Sequence, residues 1–155
     1  MSNIVVSANW TIYQSSDFDD RVGLIYNPVY IDKDDNCWVC INDGVVNPCG
    51  VMKISKDSYE VFNAENTIIP NIAINCITQG SNGDMYFGQI EDYSEKKMTS
   101  LIRYDGENWE SFNQFNSPML PYGIHDILVT GEDEFLVCKR NWVIPLQKWQ
   151  MELLL

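Results

Sequence analysis

Residues 51–63 (VMKISKDSYEVFN) and 101–113 (LIRYDGENWESFN) align at an offset of 50. Glu60/Glu110, Phe62/Phe112 and Asn63/Asn113 are identical, and Val51/Leu101, Met52/Ile102, Lys53/Arg103 and Tyr59/Trp109 keep their chemistry. The echo extends both ways. Trp10 and Tyr13 lie 49 residues before Tyr59 and Phe62, Trp38 lies 48 before Tyr86, and Tyr86 lies 50 before Leu136. Ile74/Ile124 and Ile77/Ile127 add to the set. A chain built this way must fold into about three similar units, because equivalent residues need equivalent surroundings.

Within a unit, apolar runs of three to five residues alternate with Gly, Asn, Asp and Pro, and almost nothing has helical period. That is the pattern of antiparallel strands joined by tight turns. Strands are expected over 29–31, 37–41, 51–54, 59–62, 74–78, 85–87, 101–104, 109–112, 124–129 and 135–137, with two more over 4–6 and 10–13. Asp105-Gly106 supplies the positive φ of a hairpin turn. The tail MELLL reads equally as strand or as the start of a helix. The expected organisation is one all-β domain over residues 1–155. It comprises a half repeat at 1–27, repeats at 28–72 and 73–121, and a partial repeat at 122–155.

Four short strands per repeat of about fifty residues fit a β-propeller blade. Stacked blades bury faces that a single blade leaves open. Three blades fall short of the usual four to eight, so the reading is a partial propeller with two ways out: two chains close a ring of about six blades together as a homodimer, or the fold is an open or barrel-like relative whose tail, residues 142–155, caps the open edge of a monomer. The aromatics at equivalent positions, Trp38, Tyr86, Trp109, Phe112, Tyr59 and Phe62, are expected in the core. Trp109→Ala is expected to cost about 3–5 kcal/mol as a core truncation.

Four stretches, DKDDNCWVC (32–40), GDMYFG (83–88), YDGENW (104–109) and NSPMLP (116–121), give the order strand, Asp-rich turn, aromatic strand, Trp hairpin, Asn-Ser-x-x-Leu-Pro connector. This order resembles the two-component-regulator propeller repeat over most of residues 29–140. The resemblance implies a propeller fold. In that family the propellers are larger sensory modules, usually exported and joined to a membrane kinase.

The charge narrows the partners. Twenty-two acids against ten Lys and Arg give a formal −12, which argues against nucleic acid and anionic membrane surfaces. It permits a basic protein partner, and acidity for solubility alone is the simpler account. Asp17, Asp19 and Asp20 form an acidic loop that could meet such a partner. The N-terminus MSNIVVSANW lacks a signal-peptide pattern, and five cysteines without a regular framework fit a reducing compartment. The cytoplasm is the expectation.

Chemistry-bearing motifs are weak. Cys37-x-x-Cys40 matches redox spacing, but residues three apart in a strand face opposite ways. All five cysteines therefore read as structural. Asp32-x-Asp34-x-Asn36 resembles the start of a calcium loop, but Cys37 stands where that loop needs Gly, and Asp43 where it needs Glu. His125-Asp126 are strand neighbours on opposite faces. No nucleophile elbow and no Gly-rich phosphate loop is present. No catalytic residue, cofactor or metal is expected. The sequence points to a non-catalytic binding module. An acidic inhibitor or immunity-type protein covering a basic partner is the alternative, and a carbohydrate-active or ligand-sensing domain is a second.

Overall fold

A computed structural model describes residues 13–18, 22–42, 48–69, 73–90, 101–113, 115–117, 123–131, 134–143 and 146–154. Every regular element in it is a strand, apart from a single 3-10 turn at Ser15–Asp17. Three antiparallel sheets form, of four, four and three strands, each ordered along the chain. Sheet 1 comprises β1 (Leu24–Ile31), β2 (Cys37–Asn42), β3 (Pro48–Ile54) and β4 (Tyr59–Phe62). Sheet 2 comprises β5 (Ile74–Gln79), β6 (Met85–Gln89), β7 (Leu101–Tyr104) and β8 (Trp109–Phe112). Sheet 3 comprises β9 (Ile124–Gly131), β10 (Glu134–Val143) and β11 (Leu146–Leu154). The all-β antiparallel expectation therefore holds. The expected strand over 4–6 and residues 10–12 of the one expected over 10–13 lie outside the described residues, and Tyr13 is not in a strand.

Several strand ends shift by one or two residues, β10 runs on to Val143 past the expected 135–137, and three further regions differ from the sequence reading. β1 begins at Leu24 and crosses Asn27-Pro28 through a register shift between Tyr26 and Val29. A bulge of this kind accommodates proline inside a strand. Pro48–Gly50, read as loop, opens β3 instead. Gly50 has φ 144°, and a Cβ there would run into the Phe62 carbonyl oxygen. Only glycine lets β3 start this close to β4. The undecided tail is strand: β11 pairs with β10 from Val143↔Leu146 to Phe135↔Leu154.

Period-two alternation sorts each sheet's side chains onto two faces. Trp38, Cys40 and Val51 of sheet 1 meet Ile77, Met85, Phe87 and Ile102 of sheet 2 in one cluster. On the other face of sheet 2, Cys76, Tyr86 and Leu101 meet Ile124, Ile127, Phe135 and Val137 of sheet 3. The far face of sheet 1 buries Val39, Ile41, Met52, Ile54 and Val61 beneath Val22 and Phe18. The sheets thus stack face to face in chain order, and β5 lies against both β1 and β9.

The aromatics divide by strand. Trp38 and Tyr86, on the second strand of their sheets, are buried as expected. Tyr59, Phe62, Trp109 and Phe112 are only half-buried, packed against the clusters from the outermost strands β4 and β8. An edge strand has a neighbour on one side only, so its side chains keep part of their surface in water. Trp109→Ala therefore removes less burial than a core truncation, and its expected cost falls below 3–5 kcal/mol.

The 50-residue echo is matched bond for bond where β4 and β8 end. Asn63 and Asn113 each accept, at the backbone oxygen, from residues three and four further on. Asn66 Oδ1 accepts from Asn63 N at 2.9 Å, and Asn116 Oδ1 from Asn113 N at 2.8 Å. Their Nδ2 groups donate to Val61 O and Ser111 O, both at 2.7 Å. The hydroxyls of Thr67 and Ser117 close the turns on Asn63 O and Asn113 O, again at 2.7 Å. Asn-x-x-Asn-Ser/Thr is thus a turn-building motif in which side-chain amides replace missing strand partners. Asn66→Ala and Asn116→Ala are each expected to lower stability by about 1 kcal/mol. Urea denaturation of the two variants should give similar shifts, since each loses the same two bonds.

Candidate functional site

The hairpin turns of sheets 1 and 2 emerge side by side, and between them lies a cleft of about 250 Å³. Its walls are the β1–β2 turn, the β5–β6 turn and the start of the β7–β8 turn, with Lys53, Trp38 and Tyr104 behind.

Asp32 organises the first wall. Its Oδ1 accepts from the backbone N of Asp34 and of Asn36, each at 2.9 Å. Its Oδ2 accepts from Trp38 Nε1 at 2.8 Å, and Asn36 Nδ2 reaches both oxygens at 3.1 and 3.0 Å. Asp35 takes a left-handed φ of 62° to close the turn. Burial alone would raise the Asp32 pKa, but the donors from Trp38, Asn36 and Asp34 outweigh it and hold the carboxyl below its ordinary value. The resemblance to a calcium loop ends here: these oxygens are committed to the chain's own donors.

The second wall repeats the backbone pattern with other side chains. Gly80 N donates to Asp84 O at 2.8 Å, as Asp32 N donates to Asn36 O at 3.0 Å. Asp84 Oδ2 accepts from Asn82 Nδ2 at 2.9 Å and from Arg103 Nε at 2.6 Å. The hydrogen bond to Asp84 raises the Arg103 pKa, and Arg103 Nη1 also reaches Glu110 at 3.3 Å. Gln79 ties the walls together. Its Oε1 accepts from Lys33 N at 2.7 Å, and its Nε2 donates to Gly83 O at 2.8 Å.

The third wall carries Asp105, whose carboxylate accepts from the backbone N of Asn108 at 2.7 Å and of Glu107 at 2.9 Å. Those two bonds, with the Asn108 side chain, lower its pKa. Gly106 sits at φ 102°, the positive value expected of the Asp-Gly turn. Tyr104 donates its hydroxyl to Gly106 O at 2.7 Å, and burial pushes the phenol pKa up. Lys53 Nζ stands 5.7 Å from the centre of the Trp38 ring, within cation–π range.

Four carboxylates (Asp32, Asp34, Asp84, Asp105) and two ammonium groups (Lys33, Lys53) line this cleft. Lys33 pairs with Asp34, and the others are held by groups of the turns and strands around them, so the walls are pre-shaped. Such a lining suits recognition of a polar or charged group, with the Tyr104 ring as an apolar flank.

The sequence-derived candidates fall elsewhere. Asp17 ends the 3-10 turn, exposed, its Oδ2 accepting from Gln14 N at 2.8 Å. Asp19 and Asp20 lie outside the described residues. Cys37 and Cys40 point to opposite faces of sheet 1, as strand geometry requires. Burial pushes the Cys40 and Cys76 thiols up to about 12, so both are uncharged at neutral pH. Cys37 and Cys138 are half-buried with pKa values raised by burial. The side chain of Cys49 is outside the described set. His125 Nδ1 lies 3.2 Å from Asn75 Nδ2, while exposed Asp126 accepts from its neighbour Ile127 N at 2.9 Å. Among the described residues no group of three His, Cys, Asp or Glu side chains could hold a metal ion, and no helix is long and apolar enough to cross a membrane.

The turns that make the cleft were legible one by one as turns. That they face one another was not, although their recurrence at equivalent places in adjacent repeats was a usable signal. No family model matches the chain, and no characterised protein or solved structure is significantly similar to it.

Proposed function

We propose that this protein is a non-catalytic binding module of propeller-like build, and that its partner is a protein docking a basic group at the turn-end cleft. Sheets ordered along the chain, stacked face to face with β5 against β1 and β9, support reading each sheet as a blade. Blade-end turns are where such a fold presents binding groups. The observation that carries the reading is the cleft itself, walled by turns pinned to each other through Gln79. Its carboxylates outnumber its ammonium groups, in a chain of formal charge −12. That field favours a cationic side chain and speeds its approach at low salt.

The acidic inhibitor reading makes the same electrostatic prediction and differs in the partner: one toxic or enzymatic basic protein rather than a range of ligands. A pull-down with the 155-residue chain, repeated with Asp34→Lys, tests both. Asp34 is exposed, and its carboxylate bonds Lys33 Nζ at 3.2 Å, so the substitution leaves the fold intact. A partner captured by the parent should be lost or weakened by the variant. Its association should slow from low to physiological salt, where screening shortens to about 8 Å. Equal capture by both proteins would remove the cleft from the interaction, and a flat salt response would remove charge steering.

A further inference from the structure

Strand register makes Lys53 of sheet 1 the counterpart of Arg103 of sheet 2. Lys53 pairs with Trp38 and Glu60 across its sheet, as Arg103 pairs with Tyr86 and Glu110. A turn residue stands two before each aromatic, Asn36 before Trp38 and Asp84 before Tyr86. Each accepts at its backbone oxygen from the start of its turn, so these two positions match as well.

The charges do not match. Arg103 is answered by its own sheet, with Asp84 2.6 Å from Nε and Glu110 3.3 Å from Nη1. Lys53 has an amide, Asn36, at the position of Asp84. That amide is committed elsewhere: its Oδ1 accepts from Ser55 Oγ at 2.7 Å, and its Nδ2 donates to Asp32. Glu60 is exposed, and among the described residues Lys53 forms no ion pair. Lys53 is half-buried, and its ammonium lies over the Trp38 ring at 5.7 Å. A cation–π contact offsets part of the lost hydration, and a hydrogen-bonded counter-charge offsets more. The carboxylates that share the cleft do not supply it. Asp34 pairs with Lys33, Asp84 with Arg103, Asp105 accepts from the amides of its own turn, and Asp32 from its turn and the Trp38 indole.

We propose that the cleft binds an acidic side chain of the partner at Lys53, beside the basic one already assigned to it. The docked segment carries Lys or Arg and Asp or Glu two residues apart, since side chains at that spacing share a face of an extended strand. This inference rests on the basic-group reading above and adds the carboxylate to it. The two differ in sign at one residue. A cleft that takes only a cation binds more tightly without Lys53, and a cleft that also takes a carboxylate binds less tightly.

NMR titration with acetyl-Arg-Ala-Asp-amide and acetyl-Asp-Ala-Arg-amide, each beside its Asn counterpart at matched ionic strength, tests this. Blocked ends leave the side chain as the only carboxylate, and the two orders cover both chain directions. The amide signals of Gly83 and Gly106 and the Trp38 indole N–H report the cleft. On the parent, one Asp peptide should bind about fivefold tighter than its Asn counterpart, the upper end for a partly exposed ion pair. Lys53→Met keeps an apolar stem over Trp38. It should abolish that preference and bind the singly cationic Asn peptides at least as tightly as the parent does. Lys53→Arg should restore the preference. Should Lys53→Met lose the parent's far-UV spectrum, Lys53→Gln makes the same comparison. Asn peptides that bind the parent as tightly as both Asp peptides overturn this inference and leave the basic-group reading standing. A preference that survives removal of the Lys53 charge places the carboxylate elsewhere and also overturns it. A cleft that binds none of the peptides overturns both readings.

Discussion

Trp38→Ala is expected to lower stability by about 3–5 kcal/mol, the range for truncating a large buried aromatic. The indole is 1% exposed and sits where sheets 1 and 2 meet. It stacks on Phe62 at 5.7 Å between ring centres and contacts Phe87 at 5.5 Å and Tyr104 at 6.1 Å. Removing it opens a cavity lined by side chains from both sheets, which are held by their own ladders and can collapse only in part. It also strips Asp32 Oδ2 of the Nε1 donor at 2.8 Å. Urea denaturation followed by far-UV circular dichroism checks this, because the signal does not depend on the lost tryptophan. Trp38→Phe should recover most of the packing and leave the deficit of one hydrogen bond to a charged acceptor, about 1.5–3 kcal/mol. Trp109→Ala, on the edge strand, should cost less than Trp38→Ala. The reverse order would mean that the interior between the sheets is not centred on Trp38.

The contrast between these two tryptophans shows what the sequence could convey. Repeat spacing places Trp38 opposite Tyr86 and Tyr59 opposite Trp109, and register bears out that Trp38 and Tyr86 are equivalent. Spacing carries no information about which strand lies at a sheet's edge, so all the aromatics looked alike. Turns such as Asp105-Gly106 were legible because Asp-Gly chemistry is local. β11 was not, because Leu146–Leu154 forms its strand by pairing along β10, and the tail's own residues favour neither state. Asn116-Ser117 was visible only as an interruption. Its role as the counterpart of Asn66-Thr67 depends on bonds to backbone groups that a sequence does not display. The cleft was least legible, since it belongs to two sheets and to no single segment.

Asp32→Asn is expected to cost about 2–3 kcal/mol at neutral pH, the scale of losing charge-assisted bonds and stranding a buried donor. The carboxylate is 7% exposed and accepts from Asp34 N, Asn36 N, Asn36 Nδ2 and Trp38 Nε1. An amide keeps one acceptor oxygen and turns an NH2 toward groups that are themselves donors. The effect should vary with pH in a direction set by the pKa. The folded-state pKa of Asp32 lies below its ordinary value of 3.8. The unfolded chain therefore binds a proton there more readily than the folded one, and the contribution is complete above about pH 4–5. As pH falls through the folded pKa, the parent loses that stability and the variant, with no group to titrate, does not. Asp105, also lowered, titrates in both proteins and cancels in the comparison. Denaturation midpoints of parent and Asp32→Asn at pH 7 and at pH 3 test this. The gap should be wide at pH 7 and should narrow at pH 3. A gap of equal size at both values would show that Asp32 acts through shape alone, and that its charge does not hold the β1–β2 turn against Trp38.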